Sequence, residues 1–305
     1  MAFSLREPLV IGISSRALFD LEEENGIYER EGLAAYEAYQ VRHETDVLRP
    51  GTAFPLAQAF LELNKLREQQ LVEVIVMSRN SPNTSLRIFR SIQEYGLDIT
   101  RAALTGGAPI SPYLKSYETD LFLSANAADV QQGIDSGVAA GRILPGNLPE
   151  HPGRRLDQIR IAFDGDAVLF SADSERIFQR EGIDAFFANE QTLADVPLGK
   201  GPFAPFLMKL ARIQALFSDC GKAPIRTALV TARNAPAHER PIKTLRAWGV
   251  RVDEAYFLGG APKAPVLRSF GAHIFFDDQP RHAEPASEVV PAAVVPYREG
   301  DDPMG

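Results

Sequence analysis

The first half of this 305-residue sequence resembles the second half over three blocks that occur in the same order. The paired blocks are separated by 150, 154 and 153 residues, and they are residues 28–33 with 178–183, 79–82 with 233–236, and 105–109 with 258–262. Matching blocks in one order are typical of tandem copies of one fold. The length also suits two domains, since a domain has about 150 residues. We therefore predict one domain over residues 1–145 and a second over residues 146–305.

The segment between the two copies, residues 143–155, reads ILPGNLPEHPGRR. It contains proline, glycine and charged residues without apolar periodicity, which is typical of a linker.

Each copy has the same order of apolar runs, which we interpret as strands. The first run is followed by an insert of about 50 polar and helix-like residues, and three more runs follow with helix-like segments between the second and the third. The predicted strands are Leu9–Ile13, Val72–Met77, Ala102–Leu104 and Asp120–Leu123 in the first copy, and Ile159–Phe163, Thr227–Val230, Ala255–Leu258 and His273–Phe276 in the second. Continuous apolar strands alternating with helices predict an α/β fold, with a parallel sheet covered by helices on both faces. In such sheets the ligand site lies at the carboxyl ends of the strands.

Composition excludes several classes of partner. The net charge of −8 and the pI near 5.3 argue against a nucleic-acid polymer or an anionic membrane as the main partner. The sequence contains no run of about 18 uncharged apolar residues, so no transmembrane helix is predicted. The amino-terminal residues lack the apolar core of a secretory signal, so we expect a cytoplasmic protein.

The predicted strand ends of the second copy carry a chemically coherent set of side chains. This set contains two pairs of aspartates, a threonine and a lysine: Asp164, Asp166, Thr231, Lys263, Asp277 and Asp278. Carboxylates gathered at one edge of a sheet suit Mg2+, which prefers oxygen ligands. Thr231 and Lys263 would supply a hydroxyl donor and a positive charge to phosphate oxygens.

These motifs resemble those of the haloacid dehalogenase (HAD) superfamily of phosphohydrolases. The superfamily has Asp-x-Asp, an apolar strand ending in Thr or Ser, a Lys, and an apolar strand ending in Asp-Asp, and all four occur here in order. The strings FDGDAVLFS with a following Glu175, TARN and GGAPK look like the cytosolic 5'-nucleotidase type I family over essentially the whole chain. One departure is Ala167, which stands where many superfamily members have Gly.

The resemblance implies two HAD-like (Rossmannoid) copies and a Mg2+-dependent 5'-nucleotidase acting on nucleoside monophosphates such as AMP or dAMP. Asp164 would be the nucleophile that forms an aspartyl-phosphate, and Asp166 the general acid and then the base. Asp278 would bind Mg2+ with Asp164 and the backbone carbonyl of Asp166, while Asp277 would be a second ligand or an orienting residue. Two alternatives stay open: a HAD phosphatase for another small phosphomonoester, and a nucleotide-binding regulatory protein without turnover.

In this superfamily the insert after the first strand forms a cap over the site, here expected at about residues 172–222. Cap aromatics, Phe186 and Phe187 among them, can stack on a base, although packing inside the cap is the alternative for each. Lys200 can reach phosphate or lie at the surface. Arg233 can hold phosphate or serve the structure, since an arginine also occurs at residue 79 of the first copy.

The first copy serves as an internal control for these roles. The repeat offsets place Ser14, Arg16, Met77, Ile110, Ser124 and Ala125 where the second copy has Asp164, Asp166, Thr231, Lys263, Asp277 and Asp278. We therefore predict that the second copy is catalytic and the first is not. The first copy could bind a nucleotide effector, with Ser14, Ser15 and Arg16 facing an anion, or these residues could form a solvated loop.

Overall fold

The computed structural model describes residues 7–146, 158–218 and 223–296. They belong to two compact units. Unit 1 contains residues 7–138, and unit 2 contains residues 139–146 and the described residues after 157. Much of the segment interpreted as a linker lies outside the described residues.

Unit 1 is an α/β unit built around four parallel strands. Its strands are β1 (Leu9–Ile13), β2 (Val72–Ser78), β3 (Arg101–Leu104) and β4 (Leu121–Ser124). Its helices are α1 (Ser15–Leu18), α2 (Glu22–Glu31), α3 (Leu33–Arg42), α4 (Phe54–Leu63), α5 (Leu86–Glu94), α6 (Ser111–Ser116) and α7 (Ala127–Asp135), with short 3-10 turns at Asn64–Leu66 and Pro82–Thr84. The strand order is β3-β2-β1-β4.

Unit 2 has the same core topology with two further strands. Its strands are β5 (Ala139–Ile143), β6 (Ile159–Phe163), β7 (Ile225–Thr231), β8 (Glu254–Phe257), β9 (Ile274–Asp277) and β10 (Ala292–Val294). Its helices are α8 (Asp173–Glu181), α9 (Ile183–Thr192), α10 (Ala204–Ala215), α11 (Glu239–Ala247), α12 (Ala264–Phe270) and α13 (Pro280–Ser287). The order is β5-β10-β9-β6-β7-β8, and all neighbours are parallel except β5, which is antiparallel to β10.

The predicted α/β fold with a parallel sheet is confirmed. Both first strands have the predicted bounds, and the other predicted strands begin and end within two residues of the observed ones. Every residue of β1 and β2 is buried because both faces of the sheet are covered, and these strands are apolar without alternation except for Glu73 and Ser78 of β2. Strands β5 and β10 were not predicted, and β5 extends the sheet of unit 2 from before the predicted boundary at residues 145 and 146.

The repeated Gly-Gly dipeptide has a backbone cause. Gly106 and Gly107 have φ of 57° and 96°, and Gly259 and Gly260 have φ of 58° and 88°. Two successive residues in the left-handed region strongly favour glycine, because a Cβ there clashes with the backbone. Both units need this turn after their third strand, so the dipeptide recurs.

The last helix of the insert of unit 2 packs against the sheet. The rings of Phe203 and Phe206, at the start of α10, lie 6.3 and 6.2 Å from the ring of the strand residue Phe163. Helix α10 therefore packs on the sheet, and these two rings belong to its core rather than to a base-stacking surface. Among the described residues, no helix has the length and apolarity needed to cross a membrane.

Candidate active site

The strand ends of unit 2 bring the predicted aspartates together. Asp164 directly follows β6 and Asp277 ends β9, and these strands are parallel neighbours with Phe163 opposite Phe276. The backbone N–H of Asp164 donates to the carbonyl of Phe276 at 2.8 Å. Because β6 and β9 flank the point where the strand order reverses, both carboxyl groups lie at the position where open α/β sheets bind ligands.

Lys263 joins the two aspartates. It precedes α12, its side chain is buried, and its Nζ lies 2.8 Å from Oδ1 of Asp164 and 2.7 Å from Oδ2 of Asp277. Burial alone would lower the pKa of this ammonium group, but the two carboxylates outweigh it and raise the pKa. The lysine therefore remains charged at the centre of the site.

Asp164, Asp277 and Asp278 form a carboxylate cluster in which one oxygen of each residue lies within 4.8 Å of the others. Asp277 has both oxygens engaged, because Oδ2 contacts Lys263 and Oδ1 accepts from the backbone N–H of Gln279 at 2.9 Å. Asp278 differs, since its buried Oδ1 has no hydrogen-bond partner in residues 7–146, 158–218 and 223–296. Asp164 and Asp278 thus offer oxygens to a cation, whereas Asp277 orients the lysine.

The electrostatics of the cluster also fit a cation. Burial, with Asp277 and Asp166 nearby, raises the pKa of Asp164 to about 6 in spite of Lys263. Burial and the neighbouring Asp164 and Asp277 raise the pKa of Asp278 to about 9. Carboxylates crowded in a dry site repel one another unless a positive charge lies among them. A hard divalent cation such as Mg2+ matches this set of oxygen donors.

Asp166 is held by an arginine. Nε and Nη2 of Arg233 contact Oδ2 and Oδ1 of Asp166 at 2.8 and 2.6 Å. The third guanidinium nitrogen, Nη1, donates to the buried carboxylate of Glu190, and the guanidinium carbon lies 5.2 Å from the centre of the Phe186 ring. Burial would lower the pKa of Arg233, but Asp166 and Glu190 overcome it and raise the pKa. In this arrangement Arg233 is fully engaged with protein carboxylates.

Glu190 is a buried residue of the site that the sequence analysis missed. Its Oε1 also accepts from Nη1 of Arg240 at 2.9 Å and from Oγ of Ser174 at 2.8 Å. It thereby connects helix α9 of the insert to the segment after β7. One sequence feature could have indicated it: Glu190 follows Phe186 by four residues, so both lie on the same face of one helix.

The remaining predicted residues differ in their placement. Thr231 ends β7, is buried, and accepts from the backbone N–H of Arg233 at 3.2 Å. Phe186 is buried and Phe187 half-buried, and their ring centroids are 5.6 Å apart. Lys200 is exposed, and its backbone forms an isolated β-bridge with Phe170.

Comparison with known proteins now identifies the family. A sequence model described as 5'-nucleotidase matches residues 1–302. The chain belongs to the 5'-nucleotidase family. It is 40% identical to human cytosolic 5'-nucleotidase 1B over 294 residues, which is 93% of this chain and 48% of the human protein. The chain thus spans about half the length of the curated relative it matches.

This member of the 5'-nucleotidase family has an alanine in a left-handed turn. Ala167 has φ of 59°, a conformation that glycine adopts without a Cβ clash and other residues rarely adopt. The turn explains why glycine is common at this position of the motif. Ala167 is also buried, so the chain accommodates a strained residue directly beside Asp166.

The structure corrects two of the positional equivalences between the copies. Equivalent hydrogen bonds run from Gly106 N to Asn80 O and from Gly259 N to Arg233 O, so the counterpart of Arg233 is Asn80 and not Arg79. Strand register gives the second correction, because Ser78 ends β2 as Thr231 ends β7. The counterpart of Thr231 is therefore Ser78, which also accepts from the backbone N–H two residues later, and not Met77.

Two other equivalences, of Ser14 with Asp164 and of Ser124 with Asp277, hold in this 5'-nucleotidase family member. Ser14 N donates to Leu123 O as Asp164 N donates to Phe276 O, and Ser124 ends β4 as Asp277 ends β9. Unit 1 therefore has the topology of the site without its carboxylates.

Proposed function

We propose that this chain hydrolyses nucleoside 5'-monophosphates to a nucleoside and inorganic phosphate, in unit 2. The observation that carries the proposal is the buried cluster of Asp164, Lys263, Asp277 and Asp278 at adjacent strand ends, in a chain of the 5'-nucleotidase family. AMP and dAMP are the expected substrates.

Two of the aspartates divide the chemistry. A carboxylate oxygen of Asp164 attacks phosphorus, the bond between phosphorus and the 5'-oxygen breaks, and an aspartyl-phosphate forms. The departing 5'-oxygen takes a proton from Asp166, so the nucleoside leaves as a neutral alcohol. A water oxygen then attacks phosphorus and gives its proton to Asp166. The bond between phosphorus and Asp164 breaks, phosphate leaves, and both aspartates return to their initial state.

The other groups bind and orient. Asp164, Asp278 and the backbone carbonyl of Asp166 would hold Mg2+, which supplies positive charge to the phosphoryl oxygens. Lys263 neutralises Asp164 enough for a phosphate dianion to approach, and Asp277 positions Lys263. The hydroxyl of Thr231 accepts from a backbone N–H, which leaves its hydrogen to donate to a phosphoryl oxygen.

Arg233 and Glu190 control the orientation of Asp166 and its availability for proton transfer. Both oxygens of Asp166 are engaged by Arg233, so proton transfer to the 5'-oxygen requires this ion pair to open at one oxygen and Asp166 to take up a proton there from solvent before the substrate reacts. Glu190 offers Arg233 a second carboxylate to hold while it does so. Arg233 therefore acts here as a positioning residue rather than as a group reserved for phosphate.

A phosphate-release assay tests the proposal. Purified chain is given nucleoside monophosphates and sugar phosphates, each with MgCl2 and with EDTA. We expect release from nucleoside monophosphates that EDTA abolishes. Preference for a sugar phosphate would instead identify a HAD phosphatase for another phosphomonoester, and nucleotide binding without phosphate release would identify a non-catalytic regulatory protein.

Two variants test the mechanism within that assay. Asp164→Asn removes the nucleophile and should reduce turnover by about 10^3-fold or more. Asp98→Asn changes an exposed aspartate of unit 1 and should retain turnover. Normal turnover by Asp164→Asn would contradict the covalent mechanism. A cytoplasmic location stays a prediction.

A further inference from the structure

Unit 1 has a cavity of about 390 Å3 where unit 2 has its carboxylate cluster. Its lining includes residues that end or follow the strands, namely Ser14, Arg16, Ser78, Asn80 and Ser124. The volume lies within the range of small-molecule sites, about 300–1,000 Å3.

The strand ends of unit 1 lack the negative charges of unit 2. The repeat offsets place Ser14, Arg16, Ser124 and Ala125 where unit 2 has its four aspartates. An anion entering unit 1 therefore meets an arginine and hydroxyl groups instead of carboxylates. No divalent cation is needed to offset repulsion at this end of the sheet.

Two buried donors in the lining lack well-formed hydrogen bonds within the part of the chain that the structure describes. Nη1 of Arg16 donates to Oδ1 of Asn25 and Nη2 forms an ion pair with Oε1 of Glu22, both at 2.8 Å, while its buried Nε has no partner among the described residues. Nδ2 of Asn80 is also buried, and its neighbour among the described residues is the hydroxyl of Tyr36, with which it makes no well-formed hydrogen bond. Unpartnered buried donors are rare because they lose their hydration. Two such donors in one cavity suit a ligand whose oxygens accept hydrogen bonds from them.

The serine hydroxyls of the lining add donors. Oγ of Ser14 accepts from the backbone N–H of Ala17 at 3.2 Å, and Oγ of Ser124 accepts from that of Asn126 at 3.1 Å. A hydroxyl that accepts still has its own hydrogen to donate. Both serines can therefore donate to oxygens at the position that Asp164 and Asp277 occupy in unit 2.

Two of the acidic side chains in the lining are neutralised within the protein. Glu24 forms an ion pair with Arg87 at 2.5 Å, and Oδ1 of Asp129 lies 2.8 Å from Nε of Arg79. A third, Glu37, belongs to α3 rather than to a strand end, and it can accept hydrogen bonds from hydroxyl or amino groups of a ligand.

The wall of the cavity carries an aromatic pair. The rings of Tyr28 and Tyr36 lie 6.1 Å apart at an angle of 82°. Their counterparts in unit 2, Phe178 and Phe186, lie 6.3 Å apart at 77°. Both units thus present an edge-to-face aromatic pair from their first two long helices. Aromatic faces bind planar rings by stacking.

We propose that unit 1 binds a nucleoside phosphate in this cavity, without a metal ion and without hydrolysing it. Arg16, Asn80 and the serine hydroxyls hold the phosphate, and Tyr28 and Tyr36 contact the base. The choice of a nucleoside as the organic part rests on the proposed function of unit 2. The phosphate site rests on unit 1 alone.

Calorimetric titration with AMP in EDTA tests the proposal. The full chain carries Asp164→Asn, so that unit 2 does not turn over. Adding Arg16→Gln should weaken the binding at least about tenfold, because a charge-assisted contact to phosphate is lost. Tyr28→Ala, at a ring that is 51% exposed, should weaken it at least about fivefold without disturbing folding. Arg90→Gln, at an exposed arginine of α5, should leave it unchanged.

Photolabelling locates the site. With 8-azido-AMP in EDTA, labelled peptides should come from residues 21–42 or 77–84. No AMP binding in EDTA, binding unaffected by both Arg16→Gln and Tyr28→Ala, or label only in unit 2 would each overturn the proposal. If the wild-type chain hydrolyses no nucleotide with Mg2+ but these unit 1 effects appear, the proposed function fails and this inference stands.

Discussion

Arg233 engages both carboxylate oxygens of Asp166, with Nε 2.8 Å from Oδ2 and Nη2 2.6 Å from Oδ1. Such a two-pronged contact fixes the orientation of the carboxylate as well as its charge. Asp166 is thereby held within the site at a defined angle, while Glu190 anchors the same guanidinium from the insert.

Asp166→Asn should separate the two proton transfers. With p-nitrophenyl phosphate, whose leaving group needs little protonation, the variant should release about one equivalent of p-nitrophenol per site in a burst. Hydrolysis of the aspartyl-phosphate should then be slow, because no base accepts the proton of water. Rapid-quench kinetics and mass spectrometry of the quenched protein measure both. A variant with neither a burst nor a phosphorylated protein would contradict the role of Asp166 as base.

Arg233→Gln should lower the free energy of unfolding by about 3 kcal/mol. The substitution removes the cation that pairs with the buried carboxylate of Glu190 and with the largely buried carboxylate of Asp166. Urea denaturation measures the change. Adding Glu190→Gln should make the double variant more stable than the sum of the single effects predicts, since the two groups are directly coupled.

Arg226→Gln is the matched control for that experiment. Arg226 forms an ion pair with Glu254 at the surface, where its side chain is 44% exposed. An exposed pair contributes less than about 1 kcal/mol. Equal losses for Arg226→Gln and Arg233→Gln would contradict the structural importance of the buried network.

Removal of one carboxylate from the cluster should have opposite effects with and without metal. In EDTA at neutral pH, Asp278→Asn should raise the melting temperature, because the folded chain holds the Asp278 carboxyl protonated whereas the unfolded chain leaves it ionised, and asparagine removes that cost. MgCl2 should raise the melting temperature of the wild type by mass action and that of Asp278→Asn much less. Differential scanning calorimetry checks both signs. An undiminished Mg2+ shift in the variant would exclude Asp278 as a ligand.

Acid should destabilise the fold through His273. Burial, together with the positive charge of Arg160, lowers the pKa of His273 from an ordinary 6.5 to about 4, and its Nδ1 accepts from the backbone N–H of Arg160. Between these pH values the unfolded chain binds a proton that the folded chain excludes. The free energy of unfolding should therefore fall as the pH drops from about 6.5 to about 4.

The variant His273→Asn isolates this effect, because asparagine can accept the same hydrogen bond but does not titrate. Urea denaturation at several pH values should show a smaller loss of stability on acidification than in the wild type. His238→Gln, at an exposed histidine, is the control and should follow the wild type. A wild-type slope in His273→Asn would contradict the prediction.

Local pattern was enough to predict the strand ends of the site. Apolar runs place Asp164 after β6 and Asp277 at the end of β9, and the parallel α/β topology brings such ends together. The Gly-Gly turns were visible for a similar reason, since left-handed backbone restricts the residue type at each position.

Contacts between distant segments could not be predicted in the same way. Glu190 lies in a helix whose sequence matches no motif that we used. Its importance comes from its burial beside Arg233 and Arg240. Arg233 was expected to bind phosphate or serve the structure, and only the fold shows its two carboxylate partners. Lys200 was a candidate for phosphate, yet its position at the surface follows from packing of the insert.

The sequence by itself determined that two copies of one α/β fold carry unequal chemistry, because residue type and spacing along a strand are local properties. Only the tertiary structure decided which residues are equivalent in the two units. The counterpart of Thr231 is Ser78 rather than Met77, and the counterpart of Arg233 is Asn80 rather than Arg79. The physical reason is register: the pairing of neighbouring strands, and the hydrogen bonds after them, fix which side chain stands at a strand end. A sequence offset lacks this constraint, so an alignment of the two copies can be wrong by one residue.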